Sequence, residues 1–399
     1  MSHQPQMKRL LALFLLLGVA ADVSAASDDI EQEFNVGSGG TLTLESDSGP
    51  IEINTWEEDR VRVRIRNTGG FEVDIDQSGD DVRIEADSRG SLFGIGSSRI
   101  GFTIDVPVIY NVKLNTGGGS IDVEDIFGEV DVDTSGGSIR IGVVTGANVR
   151  ADTSGGSIEI EKVDGDIIAD TSGGNINIGD ATGNVQADTS GGRIEIGNVQ
   201  GDIDADTSGG NISVGEGGGR VKLETSGGSI RAGWAQGPID VNTSGGNIYL
   251  AGSAISVKAD TSGGSIEVEG SDGPVEADSS GGNITIRNAK SGVKADTSGG
   301  RIEVEITSTT GRVDGSIDLD TSGGDITLRI PSNLSGTVRA ELEVSRRSRG
   351  DYRIYTDFPL TVQEDDDGDI VGRGDINGGG NPIRLSTNNS DIHIVSVDN

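Results

Sequence analysis

Cysteine is absent from the 399-residue sequence, which excludes disulfides, thiolate metal sites, cysteine nucleophiles and lipoprotein acylation. Histidine is nearly absent: only His3 and His393 occur, and His3 lies in a stretch expected to be removed. Most zinc sites and Ser-His-Asp arrangements are thereby excluded. Basic residues are few, 31 against 65 acidic, for a formal charge of −34. A field of that sign repels nucleic acid and anionic lipid heads and favours solubility and cation binding. Proline is scarce at 8 residues, and the aromatics are seven Phe, four Tyr and two Trp. What is abundant is glycine, 65 residues; without a three-residue period and with so little proline, this is not collagen.

Lys8 and Arg9 precede an apolar run from Leu10 to Ala21, and Val23-Ser24-Ala25 supplies the small residues of a cleavage site. Residues 1–25 therefore read as a signal peptide, too short in its apolar core for an anchor. No later apolar run could span a bilayer, so the mature chain has no transmembrane segment. The expected location is exported: periplasmic, cell surface or extracellular.

A repeat governs the centre. Thr or Ser followed by Ser-Gly-Gly starts at 153 and recurs at eight successive intervals of 18 residues up to 297, with outlying copies at 134 and 321. Thr116-Gly117-Gly118-Gly119 reads as a degenerate early copy and Thr387-Asn388-Asn389-Ser390 as a late one. Within one unit, Val149, Ala151 and Thr153 alternate with Arg150 and Asp152, then Ile158 and Ile160 alternate with Glu159 and Glu161. Both runs have the period of strands. Ser154-Gly155-Gly156 is expected to reverse the chain through glycines tolerant of positive φ. One unit cannot bury its apolar face, but stacked units can. The hexapeptide and nonapeptide spacings of other solenoids do not fit. The expected fold is therefore all-β, a right-handed parallel β-helix (β-solenoid) with 18-residue coils. Ten to twelve coils would give a rod roughly 50–60 Å long.

Both ends depart from the repeat, as capping regions must. The expected organisation is an N-terminal β region over 26–115, the regular solenoid over 116–330 and a C-terminal β cap over 331–399. In the first, Arg60, Arg62, Arg64 and Arg66 face outward from a strand, and Glu72, Asp74 and Asp76 from the next, a pattern that fits a hairpin or adjacent coils. In the last, Tyr352, Tyr355 and Phe358 are large enough to close a core.

Five stretches in this order carry a resemblance: Leu44 to Ile53 with Trp56; Ile104-Asp105-Val106-Pro107 leading to Leu114-Asn115-Thr116-Gly117; the Ser-Gly-Gly units; Asp357-Phe358-Pro359; and Ile376-Asn377-Gly378-Gly379-Gly380-Asn381-Pro382-Ile383. The chain resembles a bacterial domain-of-unknown-function family described as adhesin-like and related to the head-GIN domains. The resemblance implies a β-helix and an exported or surface location, and it transfers no binding residues. The expected function is a non-enzymatic, adhesin-like protein with a surface binding or envelope scaffolding role, its partner a cell-surface glycan or an envelope protein. The alternative is a polysaccharide lyase or hydrolase on the same scaffold, with a cleft wall at the six-residue excess around Thr307 to Ser316.

Two sets of residues stand out as candidate contacts. An acid precedes the repeated Thr, as at Asp152, Asp170, Asp188 and Asp206. Stacked about 4.8 Å apart, neighbouring charges repel by about 0.9 kcal/mol in water. Either each carboxylate accepts N–H bonds from its own turn, or calcium is held between coils. Asp365, Asp367 and Asp369, in the densest acid cluster, read as a solvated hairpin tip with calcium as the alternative. No other cofactor is implied. The second set is Trp234 and Tyr249, the only aromatics between 153 and 297 where the interval is strictly 18 residues, which the repeat places outward in adjoining coils with Arg231 one coil below Tyr249. Together they are a candidate glycan contact, with gap-filling at the coil edge as the alternative.

Overall fold

The computed structural model describes residues 29–89, 100–308, 310–345, 350–365 and 368–398. The signal-peptide segment and Asp367 lie outside the described residues. One coil shows the construction. Ile167–Thr171 forms a strand, Ser172-Gly173-Gly174 turns, and Ile176–Ala181 forms the next strand. Ile167, Ala169, Thr171, Ile176, Ile178 and Ala181 are buried, and the residues alternating with them face out. In the next coil Ile167 pairs with Val185 and Ile176 with Ile194, in parallel. This is the parallel β-helix, in 18-residue coils, that the repeat implies. Burying each Ile is worth about 1.5–3 kcal/mol relative to leaving it exposed.

The core has three walls rather than the two read from the repeat. Sheet B stacks the Val-x-Ala-x-Thr strands and sheet A the Ile-x-Ile strands. A third ladder runs through single residues at the next corner: Val144, Val163, Ala181, Val199, Gly217, Ala235, Ser253, Ser271 and Ala289. At Gly217 the neighbouring side chain already fills the corner: a Cβ there would meet Val221 Cγ2 at 2.6 Å.

The Ser-Gly-Gly turn also works differently from expectation. None of its regular-array glycines has positive φ. The second glycine is required by close approach: a Cβ on Gly174 would lie 1.9 Å from the carbonyl oxygen of Gly156 in the coil below. Nor does the preceding acid cap the turn. The buried Thr does so: Thr171 Oγ1 donates to the Gly156 carbonyl at 2.8 Å and accepts from Gly174 N at 3.3 Å. The same bond joins Thr387 Oγ1 to the Gly324 carbonyl at 2.8 Å, so the late copy is a true coil. On the outer corner, Asn148, Asp166, Asn184 and Asp202 each accept the backbone N–H of the residue one coil on, at 2.7–2.9 Å. Polar columns thus tie neighbouring coils together on both sides of the sheets.

The ends add antiparallel strands to the same two sheets. In sheet A, Ile30–Asn35 pairs with Arg60–Arg66, which pairs with Gly101–Pro107. In sheet B, Phe71–Ser78 pairs with Asp81–Ser88. The Arg row and the following acidic strand therefore lie in different sheets, not in one hairpin. The arginines find partners elsewhere. Arg64 Nη2 donates to both carboxylate oxygens of buried Asp105 at 2.9 Å, and Arg60 and Arg62 pair with Glu33 at 2.9 and 2.8 Å. At the far end, Gly336–Glu343 and Thr361–Glu364 both pair antiparallel with Ile370–Ile376. Phe358 is buried as expected, whereas Tyr355 is 45% exposed. Sheet A reaches eighteen strands, about 80 Å at the usual strand spacing. The rod is longer than first reckoned because both caps continue the sheets.

Candidate binding groove

The outer face of sheet A is not flat. At the position after the second Ile stand Gly142, Gly179, Gly197, Gly215 and Gly233, where the backbone bends towards the third wall. A Cβ on Gly179 would fall 1.8 Å from the Glu161 carbonyl oxygen, so glycine is required at that coil for a packing reason, while Glu124 and Glu161 occupy the same position in neighbouring coils. The consequence is a cleft of about 1110 Å³ along the coils, with glycine and isoleucine in its floor. Its walls carry Glu52, Asp122, Glu124, Asp125, Glu159, Glu161 and Glu195 against one cation, Arg140. Arg140 pairs with Glu159 at 3.1 Å and lies 3.7 Å from Asp122. A second cleft of about 410 Å³ continues the first, the two sharing Val214, and it is lined by Arg231, Tyr249, Glu267 and Glu269.

Arg231 and Tyr249 are paired in register, and the guanidinium sits 4.9 Å from the ring centroid. Tyr249 is half-buried beneath it rather than fully exposed. Trp234 is half-buried too, and it lies away from the cleft lining. A Cβ on Gly252 would meet Trp234 Cζ3 at 2.8 Å, and one on Gly270 at 3.5 Å. The indole covers the glycines of the two succeeding coils, which is the gap-filling alternative. The proposed trio thus divides: Arg231 and Tyr249 face the cleft and Trp234 packs.

Sheet B carries the acid column. Asp152, Asp170, Asp188 and Asp206 are stacked in register on one edge. Burial, and then repulsion from Asp188 and Asp152, push the Asp170 carboxyl above its usual range. Burial, with Glu224 and Asp188, does the same to Asp206. No group of three His, Cys, Asp or Glu among the described residues is arranged to hold a metal ion. Millimolar calcium is expected to raise Tm no more than sodium chloride of equal ionic strength. A calcium-specific rise reversed by chelation would show instead that the ion bridges coils. In the C-terminal acid cluster, Asp365 Oδ1 accepts Asp369 N at 3.0 Å and Asp369 Oδ1 accepts Val344 N at 2.9 Å, so both carboxylates brace a hairpin tip. The irregular coil around Thr307 to Ser316 lines neither cleft and packs on the C-terminal cap: Ser335 N donates to Gly311 O at 2.9 Å and Asn381 Nδ2 to Val313 O at 2.6 Å.

Among solved structures, the chain is similar to a candidate cell adhesion protein from Clostridium sporogenes, at 12% identity and a TM-score of 0.15, over 92% of this chain and 98% of that one. It is also similar to a candidate adhesin from Bacteroides fragilis, at 14% identity and a TM-score of 0.18, over 76% and 97% of the two chains. A third, a candidate adhesin from Parabacteroides distasonis, has 12% identity and a TM-score of 0.20 over 76% and 97%. Among curated proteins none matches. The family model described as Toastrack DUF4097 matches residues 40–236, just under half of the chain, and from the N-terminal coils into the regular array the chain is similar to that family.

Proposed function

We propose that this is an exported, non-enzymatic, adhesin-like protein that holds a surface glycan against sheet A. The observation that carries the reading is the continuous open cleft ending on Arg231 and Tyr249. A ring beside polar groups in a groove is suited to a sugar: the apolar face stacks, and the carboxylates accept hydroxyl hydrogens. Export rests on the layout of residues 1–25. No helix among the described residues is long and apolar enough to cross a membrane.

The test is retention on immobilised neutral, acidic and cationic polysaccharides, with new reducing ends and unsaturated products measured in parallel. Retention without product supports a binder, and product formation would make the protein an enzyme. Tyr249→Ala is expected to weaken retention about tenfold with Tm nearly unchanged. Trp234→Ala is expected to cost about 1–2 kcal/mol of stability and leave retention intact. If Trp234→Ala abolished retention at unchanged Tm, the contact would lie on the other side of the coil edge.

A further inference from the structure

The glycan reading leaves open whether sheet A contacts one sugar or a chain. Tyr249 belongs to an outward column that runs through Glu267, Thr285, Glu303, Thr327 and His393 to Tyr355, each in register with the next. That end carries a second aromatic surface. The Tyr355 and His393 rings stack with centroids 4.8 Å apart and planes 8° apart. Tyr355 lies on the edge strand Ile354–Thr356, whose one pairing among the described residues is with Ile392–Val397. The ring therefore covers no further coil, and its burial does not explain it. Tyr355 and Phe127 are the exposed aromatics among the described residues, and of the two Tyr355 stands in the Tyr249 column, where its open side is available to a ligand.

The two surfaces are six strand steps apart, about 29 Å at the usual spacing. They lie in one register column across successive coils, and the carboxylate-walled cleft adjoins that column beyond Tyr249. The cations on this stretch are already engaged: Arg231 on the Tyr249 ring, Arg287 with Glu267 and Glu269, and Arg329 with Glu303. The cleft beyond carries seven carboxylates against one arginine. Two aromatic rings six strand steps apart, one face of each covered by Arg231 or His393, with negative charge between and beyond them, complement a chain that offers sugar rings and ammonium groups together. A Lys-rich peptide would satisfy the charge and leave the rings without flat partners.

Resting on the glycan reading above, we propose that sheet A is a track for an extended, linear amino-sugar polymer bearing free ammonium groups, bound along the axis from the carboxylate-walled cleft past Tyr249 to the Tyr355–His393 stack. The probe is partly deacetylated chitosan, compared with its disaccharide, with the fully acetylated polymer and with polylysine, by calorimetry on the purified full chain. Tyr355→Ala is expected to weaken polymer binding about tenfold and Tyr355→Phe to restore it, with Tm unchanged in both. The disaccharide is expected to bind at least a hundredfold more weakly than the polymer and to be indifferent to Tyr355→Ala. If Tyr249→Ala weakens polymer binding and Tyr355→Ala does not, the track is wrong and a single glycan site stands. If neither substitution matters while polylysine binds as tightly as chitosan, the attraction is charge alone and both readings fall. Equal binding of acetylated and deacetylated polymers would overturn the ammonium assignment.

Discussion

Replacing Gly192 by alanine is expected to abolish cooperative folding of the central coils, whereas the same change at its neighbour Gly191 is expected to be nearly silent. A Cβ on Gly192 would stand 1.8 Å from the Gly174 carbonyl oxygen and 2.4 Å from its carbon. Those atoms are backbone of the coil below, and they also accept the Thr189 hydroxyl at 2.9 Å, so they cannot yield without breaking the coil-to-coil bond. The cost falls in the exceptional range, above about 4 kcal/mol. At Gly191 the nearest atom to an added Cβ is 3.5 Å away, an ordinary contact, and φ there is not in the left-handed region. Alanine at that site also has less chain entropy to lose on folding. Urea unfolding of the two variants separates the explanations. Equal losses at both positions would mean that glycine serves turn conformation after all, and that close stacking is secondary.

This pair of glycines marks where the sequence was legible and where it was not. The period of 18 residues, the inward Ile, Val and Ala, and the burial of Thr153, Thr171 and Thr189 follow from alternation alone, because strand parity is fixed by the backbone. What a glycine is for does not follow, since the letter is the same whether φ or a neighbouring coil demands it. The third wall was hidden for a related reason: one buried residue per coil, changing among Val, Ala, Gly and Ser, leaves no periodic run to read. Its signal was the recurrence of small residues at Ala181, Gly217, Ala235 and Ser253, each 18 or 36 residues from the last. The alignment of Tyr249 with Tyr355 was out of reach, because the C-terminal cap places Ile392–Val397 in the sheet ahead of the earlier strand Ile354–Thr356. The family resemblance carried the ends of the chain only as far as a fold.

Exchanging Asp152, Asp170, Asp188 and Asp206 together for Asn is expected to raise Tm at pH 7, and the gain is expected to vanish as pH falls. The four carboxylates are stacked in register in successive coils. With Asp133 below and Glu224 above, five neighbouring pairs are relieved, and at about 0.9 kcal/mol each in water they give roughly 4–5 kcal/mol at low ionic strength, less as salt screens them. Asp170 and Asp206 bind protons more readily folded than unfolded, first through burial and then through these neighbours. Between the ordinary carboxylate pKa of 3.8 and the raised folded value, the native chain holds more protons than the unfolded one, so stability falls as pH rises through that window. Below it Asp170 and Asp206 are protonated and their share of the penalty is gone. Glu267 and Glu276 act in the opposite sense, since bonds from Arg287 and Lys294 lower their pKa and are lost on acidification. The whole-protein profile mixes the two, and only the difference between wild type and variant isolates the column. Asn is already accommodated there, since Asn242 stands in register between Glu224 and Asp260. A variant less stable than wild type at pH 7 would mean that the carboxylates are held by an attraction that outweighs their repulsion, and the calcium titration would then show whether a divalent ion supplies it.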